Sequence, residues 1–103
     1  MFFFDASGSI TIGDYVMIGP DTKIYSSNHD LNHKGNMLLS KKIIKKPVII
    51  GSNIWIGANV IILPGIKSED GTIIGAGSIV TKSILQKNTI YAGNPAKFIK
   101  KRI

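Results

Sequence analysis

Hydrophobic positions recur every six residues along most of this chain. Ile12, Ile18 and Ile24 form one series; Ile50, Ile56, Ile62, Ile74 and Val80 form a second, in which Ser68 is the one polar member. Glycine follows directly at Gly13, Gly19, Gly51, Gly57 and Gly75. Four residues after each series position the chain mostly carries a small or β-branched residue, among them Val16, Thr22, Val60, Thr72 and Ser78. A period of six is neither a helix period nor the alternation of a half-buried strand. It predicts a short strand and a turn, repeated, with three units returning the chain to its starting side. Self-similarity at 18 residues follows, and residues 12–29 align with 50–67 and then with 68–85. Each in-phase aliphatic is expected to point inward and stack on its equivalent one coil away, where a fully buried Ile contributes about 1.5–3 kcal/mol. Ala6 extends the first series back by one unit. The pattern predicts an all-β chain folded as a parallel β-helix of about three coils, each contacting its neighbours.

The period breaks once, because Ile24 and Ile50 are 26 residues apart. Residues 30–47 lack the pattern and are expected to form an excursion loop, the kind of long loop that usually carries function. Pro47 restarts the extended chain at Val48. The end departs as well, and residues 93–103 are read as a tail containing a short C-terminal helix. Asn94 would be its N-cap and Pro95 its first helical residue. Phe98 and Ile99 would pack back on the last coil, with the basic residues near a C-terminus whose dipole favours cations. Residues 1–103 are read as a single repeat domain.

Composition agrees with many short strands and tight turns: 20 Ile, stiff and strand-favouring, and 11 Gly. Hydrophobic residues make up 44% of the chain, too many for a disordered tail. Cysteine is absent, which excludes a disulfide framework and a thiolate zinc site. No apolar run approaches the roughly 20 residues of a membrane-spanning helix, and the apolar start, Met1 to Phe4, is too short for a signal peptide.

The formal charge of +7 invites a nucleic-acid reading until its distribution is read. Lys41, Lys42, Lys45 and Lys46 form one cluster, and Lys97, Lys100, Lys101 and Arg102 another. The rest of the chain is near neutral, with five basic and six acidic residues. Aromatics are 8%, and none interleaves the first cluster as a base-stacking platform requires. Two solvated faces, an anionic small molecule or a partner chain fit better than nucleic acid.

Five stretches carry a resemblance: IGDYVMIGP at 12–20, SSNHD at 26–30, PVIIGSNIWIGANVIILPGI at 47–66, IGAGSIVTKSI at 74–84 and AGNPAKFIKK at 92–101. They resemble the hexapeptide-repeat acyltransferases of the left-handed β-helix family. Within it they are most similar to the maltose, galactoside and capsule or O-antigen sugar O-acetyltransferases. The left hand is implied by the resemblance alone, since parallel crossovers are right-handed in about 98% of cases.

The resemblance implies a cytoplasmic enzyme of the polysaccharide-biosynthesis kind. It would transfer an acetyl group from acetyl-CoA to a hydroxyl of a sugar or similar acceptor, without a metal. His29 stands at the family's catalytic histidine. The chemistry asks for such a base, because a neutral hydroxyl attacks a thioester poorly unless its proton is removed as it attacks. His33 lies in the loop outside any matched stretch and is read as structural. Trp55 resembles the tryptophan of the family's pantetheine groove. Ala58 and Ala76 stand where the backbone contacts the CoA arm. Thr81 and Lys82 match a pair near the CoA phosphates, and Lys97 and Lys100 match basic residues near the nucleotide end. The resemblance also implies a homotrimer with active sites between subunits. Relatives usually carry further rungs before the equivalent of Ile12, so the chain is expected to be a truncated or minimal member.

Other readings predict other residues. A non-catalytic repeat module would not need His29. Amino-sugar N-acetylation would use the same scaffold and donor. A zinc hydratase of the γ-carbonic-anhydrase type needs three protein ligands, whereas the chain has two histidines and no cysteine.

Overall fold

The computed structural model describes residues 1–103. Its strands are β1 (Phe3–Asp5), β2 (Ile10–Ile12), β3 (Val16–Ile18), β4 (Lys23–Tyr25), β5 (Ser27–His29), β6 (Ile43–Lys45), β7 (Val48–Ile50), β8 (Ile54–Ile56), β9 (Ile61–Ile62), β10 (Lys67–Ser68), β11 (Ile73–Ile74), β12 (Ile79–Val80), β13 (Thr89–Gly93) and β14 (Ala96–Lys101). One 3₁₀ turn, Met37–Leu39, lies in the excursion.

Three parallel faces wrap one core. The first stacks β1, β4, β9 and β12; the second β2, β7 and β10; the third β3, β8, β11 and β13. Ile62 lies opposite Val80 and Ile56 opposite Ile74, so the 18-residue repeat is the pairing register itself. Across the excursion Ile24 still meets Ile62 and Ile18 meets Ile56, so the insertion leaves the inward phase intact. The first coil departs from the expected spacing. Phe4, rather than Ala6, lies opposite Ile24, because the first turn is two residues longer than the repeat requires.

β7 and β8 bury their two ends and expose their middle, as Ile54–Trp55–Ile56 does, whereas β4 buries its middle residue, Ile24. Both the series position and the position four residues after it therefore face inward. Ile24, Ile50, Ile56, Ile62, Ile74 and Val80 are buried, and so are Ile54, Val60, Ile66 and Ile84. The polar residues inside the coils are satisfied, as most buried hydroxyls are, whereas Ser40, in the excursion, has a buried hydroxyl without a partner. Ser68 shares a 2.7 Å hydrogen bond with Thr72. The Thr22 hydroxyl donates to the Gly57 carbonyl at 2.8 Å.

The corners repeat too. Tyr15, Asn53, Gly71 and Asn88 all have positive φ at one corner, and Asp21, Asn59 and Gly77 at another. Asn, Asp and Gly tolerate this left-handed conformation.

The tail is not a helix. β13 adds to the third face beside β11, and β14 returns antiparallel to it, with Tyr91 opposite Phe98. The last coil offers β13 an unpaired edge to extend, and Thr89, Ile90 and Tyr91 are strand-favouring residues. A helix at Ala96 would leave the other edge of β13 bare; β14 covers it. Tyr91 packs on the core, and Phe98 meets it edge-on with ring centroids 5.9 Å apart. Ile99, expected to pack back, is exposed.

Candidate active site

The excursion leaves the first face after β4 and forms an antiparallel hairpin at its base. β5 pairs with β6, with Ser27 opposite Lys45, Asn28 opposite Ile44 and His29 opposite Ile43. The Asp30 N–H donates to the Lys42 carbonyl at 3.1 Å, which extends the hairpin past His29. The histidine therefore stands on paired backbone, whereas the loop proper begins beyond it. Its side chain is exposed, and its ring makes no hydrogen bond within the chain. His33 differs: its Nε2 lies 3.0 Å from the Asn36 carbonyl. A carbonyl only accepts, so Nε2 carries the proton and the ring braces the loop.

Two adjoining grooves meet at His29. One is lined by Asp5, Tyr25, Ser27, Asn28 and Ile43 together with it. The other holds Asp30, Leu31, Asn32, Lys42, Ile44 and Lys46, sharing Asn28 and His29. Asp5 is the residue that sequence reasoning missed. Its Oδ2 accepts a 2.6 Å bond from the Ser27 hydroxyl, and its Oδ1 a 3.1 Å bond from the Ser7 N–H. These bonds favour the ionised form, Ser27 contributing most, and hold its carboxyl below the usual aspartate range. The long first turn hid it, because a strict six-residue phase does not put Asp5 beside Tyr25.

The cofactor candidates lie elsewhere. Trp55 points outward from the third face between Met17 and Ile73, half exposed, and is therefore not a core residue. Its groove also holds Tyr15, Asn53 and Arg102. Arg102 closes one end by donating to the Asn53 and Gly71 carbonyls at 3.3 and 3.2 Å. Ala58 and Ala76 follow β8 and β11 at the corner between the third and first faces. They are one coil apart, and neither N–H has a partner in the chain. Lys97 pairs with Ala92 at the foot of the same corner, and Lys100 pairs with Ile90 on the third face. Thr81 and Lys82 follow β12 on the next corner around and are exposed. Neither groove at His29 contains any of these cofactor positions. No three His, Cys, Asp or Glu side chains cluster as a metal site would require. No helix is long and apolar enough to cross a membrane.

Comparison with known proteins places this geometry. The family model described as the hexapeptide repeat of succinyl-transferase matches residues 47–82. The galactoside O-acetyltransferase of Escherichia coli K12 is 39% identical over 92 residues, covering 89% of this chain and 44% of the relative. A maltose O-acetyltransferase from Clostridium difficile 630 superposes with a TM-score of 0.79 at 42% identity, over 97% of this chain and 55% of that one. A galactoside acetyltransferase in complex with coenzyme A superposes with a TM-score of 0.88 at 36% identity, over 99% of this chain and 50% of that one. The chain thus spans about half the length of the relatives it matches. A mirror-image coil would not superpose on them, so the hand is theirs as well. By its repeat, its pairing register and these superpositions, the chain is a left-handed parallel β-helix built from hexapeptide repeats.

Proposed function

We propose that the chain is the catalytic β-helix of an acetyltransferase that moves an acetyl group from acetyl-CoA to a hydroxyl of a sugar or related acceptor. The observation that carries the reading is His29. A free imidazole stands exposed where two grooves meet, on backbone held by β5 and β6. Its ring takes the proton of the acceptor hydroxyl as that oxygen attacks the thioester carbonyl carbon. The C–S bond then breaks, and the imidazolium returns the proton to the CoA thiolate. The products are an acetyl ester and free CoA. A positioned base contributes typically about 10²–10⁴-fold. Asp5, beside it, is an ionised acceptor suited to a second sugar hydroxyl.

The donor would lie along the coil corners. Trp55 offers an apolar wall for the pantetheine, and the free N–H groups of Ala58 and Ala76 meet its carbonyls. Thr81, Lys82, Lys97 and Lys100 supply hydroxyl and charge for its phosphates. The similarity to galactoside and maltose O-acetyltransferases supports this choice of acceptor, and the relative in complex with coenzyme A supports the donor. Acetyl-CoA as donor points to the cytoplasm as the site of reaction. The separation of His29 from every cofactor position supports a homotrimer, in which one subunit's His29 meets donor held by its neighbour.

The test is His29→Ala. Acetyl-CoA turnover, read by thiol release, should fall about 10²–10⁴-fold with unchanged circular dichroism. Undiminished turnover by the folded variant would favour a non-catalytic repeat module instead. Light scattering should give three times the 11.2 kDa chain mass, and a monomer at all concentrations defeats the trimer.

A further inference from the structure

We infer that the acceptor carries a fixed negative charge, a carboxylate or a phosphate, held by Lys42 and Lys46 in the groove beside His29. The inference rests on the acetyl-transfer reading and names its acceptor class. His29 must touch the acceptor hydroxyl, so the acceptor lies against one or both of the grooves that meet there, and the groove toward the loop is the one that carries the lysines. That groove has three charged side chains, Lys42, Lys46 and Asp30.

Neither lysine is neutralised. The ion pairs of the chain are Met1 with Asp21 and Lys67 with Glu69, and no carboxylate reaches Lys42 or Lys46. Asp30 is engaged with the loop instead, its Oδ1 accepting the Asn32 N–H at 3.0 Å. Both lysines stand on fixed backbone. The Lys42 carbonyl accepts the Asp30 N–H at 3.1 Å, and Lys46 donates to the Ser26 carbonyl at 2.8 Å and accepts from Gly65 at 3.1 Å. The Lys46 methylenes run beside Gly65, where even an added Cβ would lie at ordinary contact distance, 3.5 Å from them. A cation with a seated stem loses less freedom when it binds than one on a free arm. Two unpaired cations beside a base, one of them with its stem seated, suit an anion several bonds from the reacting hydroxyl. The cofactor positions lie outside this groove, so its charge is not explained by donor bound to the same chain.

The probes are glucose, glucuronate and glucose 6-phosphate, offered to the full chain with and without acetyl-CoA. Calorimetry or ligand-observed NMR should find both anions, or one of them, bound at least about tenfold more tightly than glucose. Which anion leads distinguishes a carboxylate from a phosphate acceptor. The preference should weaken with added salt. Lys42→Met and Lys46→Met keep the stems and should collapse it, whereas Lys34→Met, on the same loop outside the groove, should not. In turnover the loss should fall on the acceptor KM. Equal binding of glucose and both anions overturns the inference, as does a rise in the acetyl-CoA KM without one in the acceptor KM. His29→Ala separates the two readings. If it abolishes turnover while charge makes no difference, the acceptor class alone fails. If it leaves turnover intact, the acetyl-transfer reading fails.

Discussion

A Cβ placed on Gly57 would lie 2.6 Å from the backbone nitrogen of Ala76, one coil away. Side chains do not pack that close, so the coils approach there only because the residue is glycine. Gly57→Ala must push two rungs apart, and the strain spreads into Ile56 and Ile74, which pair at the same level. The expected loss is about 1–3 kcal/mol, the usual range for overpacking. Urea denaturation measures it, as a lowered midpoint at unchanged slope. A loss below about 0.5 kcal/mol would mean that the corner yields freely.

Tyr15 shares a corner column with Asn53, Gly71 and Asn88, and all four have positive φ. It is the one bulky member, and it is exposed, so little packing offsets its backbone strain. Tyr15→Asn should raise stability by about 1 kcal/mol, the order of the left-handed penalty. A thermal melt that moves down or stays still would refute this. The groove at Trp55, which Tyr15 lines, should open slightly in the same variant.

The inward face was legible because a stacked aliphatic must recur at the coil length. Ile50, Ile56 and Ile62 announce it by identity and phase alone. The second inward column was harder to read, since Thr22, Thr72 and Ser78 are polar residues buried by hydrogen bonding rather than by apolar character. The positive-φ column was invisible, because Tyr15 does not look like a turn residue. The tail was not legible, because Asn94-Pro95 is a good local helix start and local propensity carries no information about the open edge of β13, at Ile90 and Tyr91, on which β14 pairs. The place of His29, where the regular coil runs into the excursion, was legible from its motif. Asp5 was not, because the longer first turn moves it out of phase.

Asp5 gives the fold an acid dependence with a definite sign. Its carboxyl is held low by the Ser27 hydroxyl first and the Ser7 N–H next. In the unfolded chain it binds protons more readily, at about pH 4. Its stabilising effect is therefore complete above that value and is lost as pH falls through the depressed folded value. Asp5→Asn should be less stable than the parent chain by a constant amount at neutral pH, and the difference should shrink below about pH 4. Urea titrations across that range check it. A difference that stays flat into strong acid would show that Asp5 acts by shape rather than by charge.

Ala76 offers a way to disturb the proposed donor groove without disturbing the fold. Its side chain is exposed, and the close contact at this corner involves its backbone, so a larger side chain adds no overpacking. Its N–H and that of Ala58 lack partners in the chain and sit one coil, about 4.8 Å, apart. Two free donors at that spacing can each take a carbonyl of an extended amide chain that runs along the coil axis. Ala76→Leu leaves both N–H groups in place and blocks the approach to them. Stability should stay within about 0.5 kcal/mol of the parent chain, whereas the acetyl-CoA KM should rise at least about tenfold as the docked arm is displaced. Thiol-release kinetics with donor and acceptor varied in turn separate the two constants. An unchanged donor KM would remove Ala76 from the cofactor path. It would also leave its free N–H to water, since nothing else in the chain reaches it.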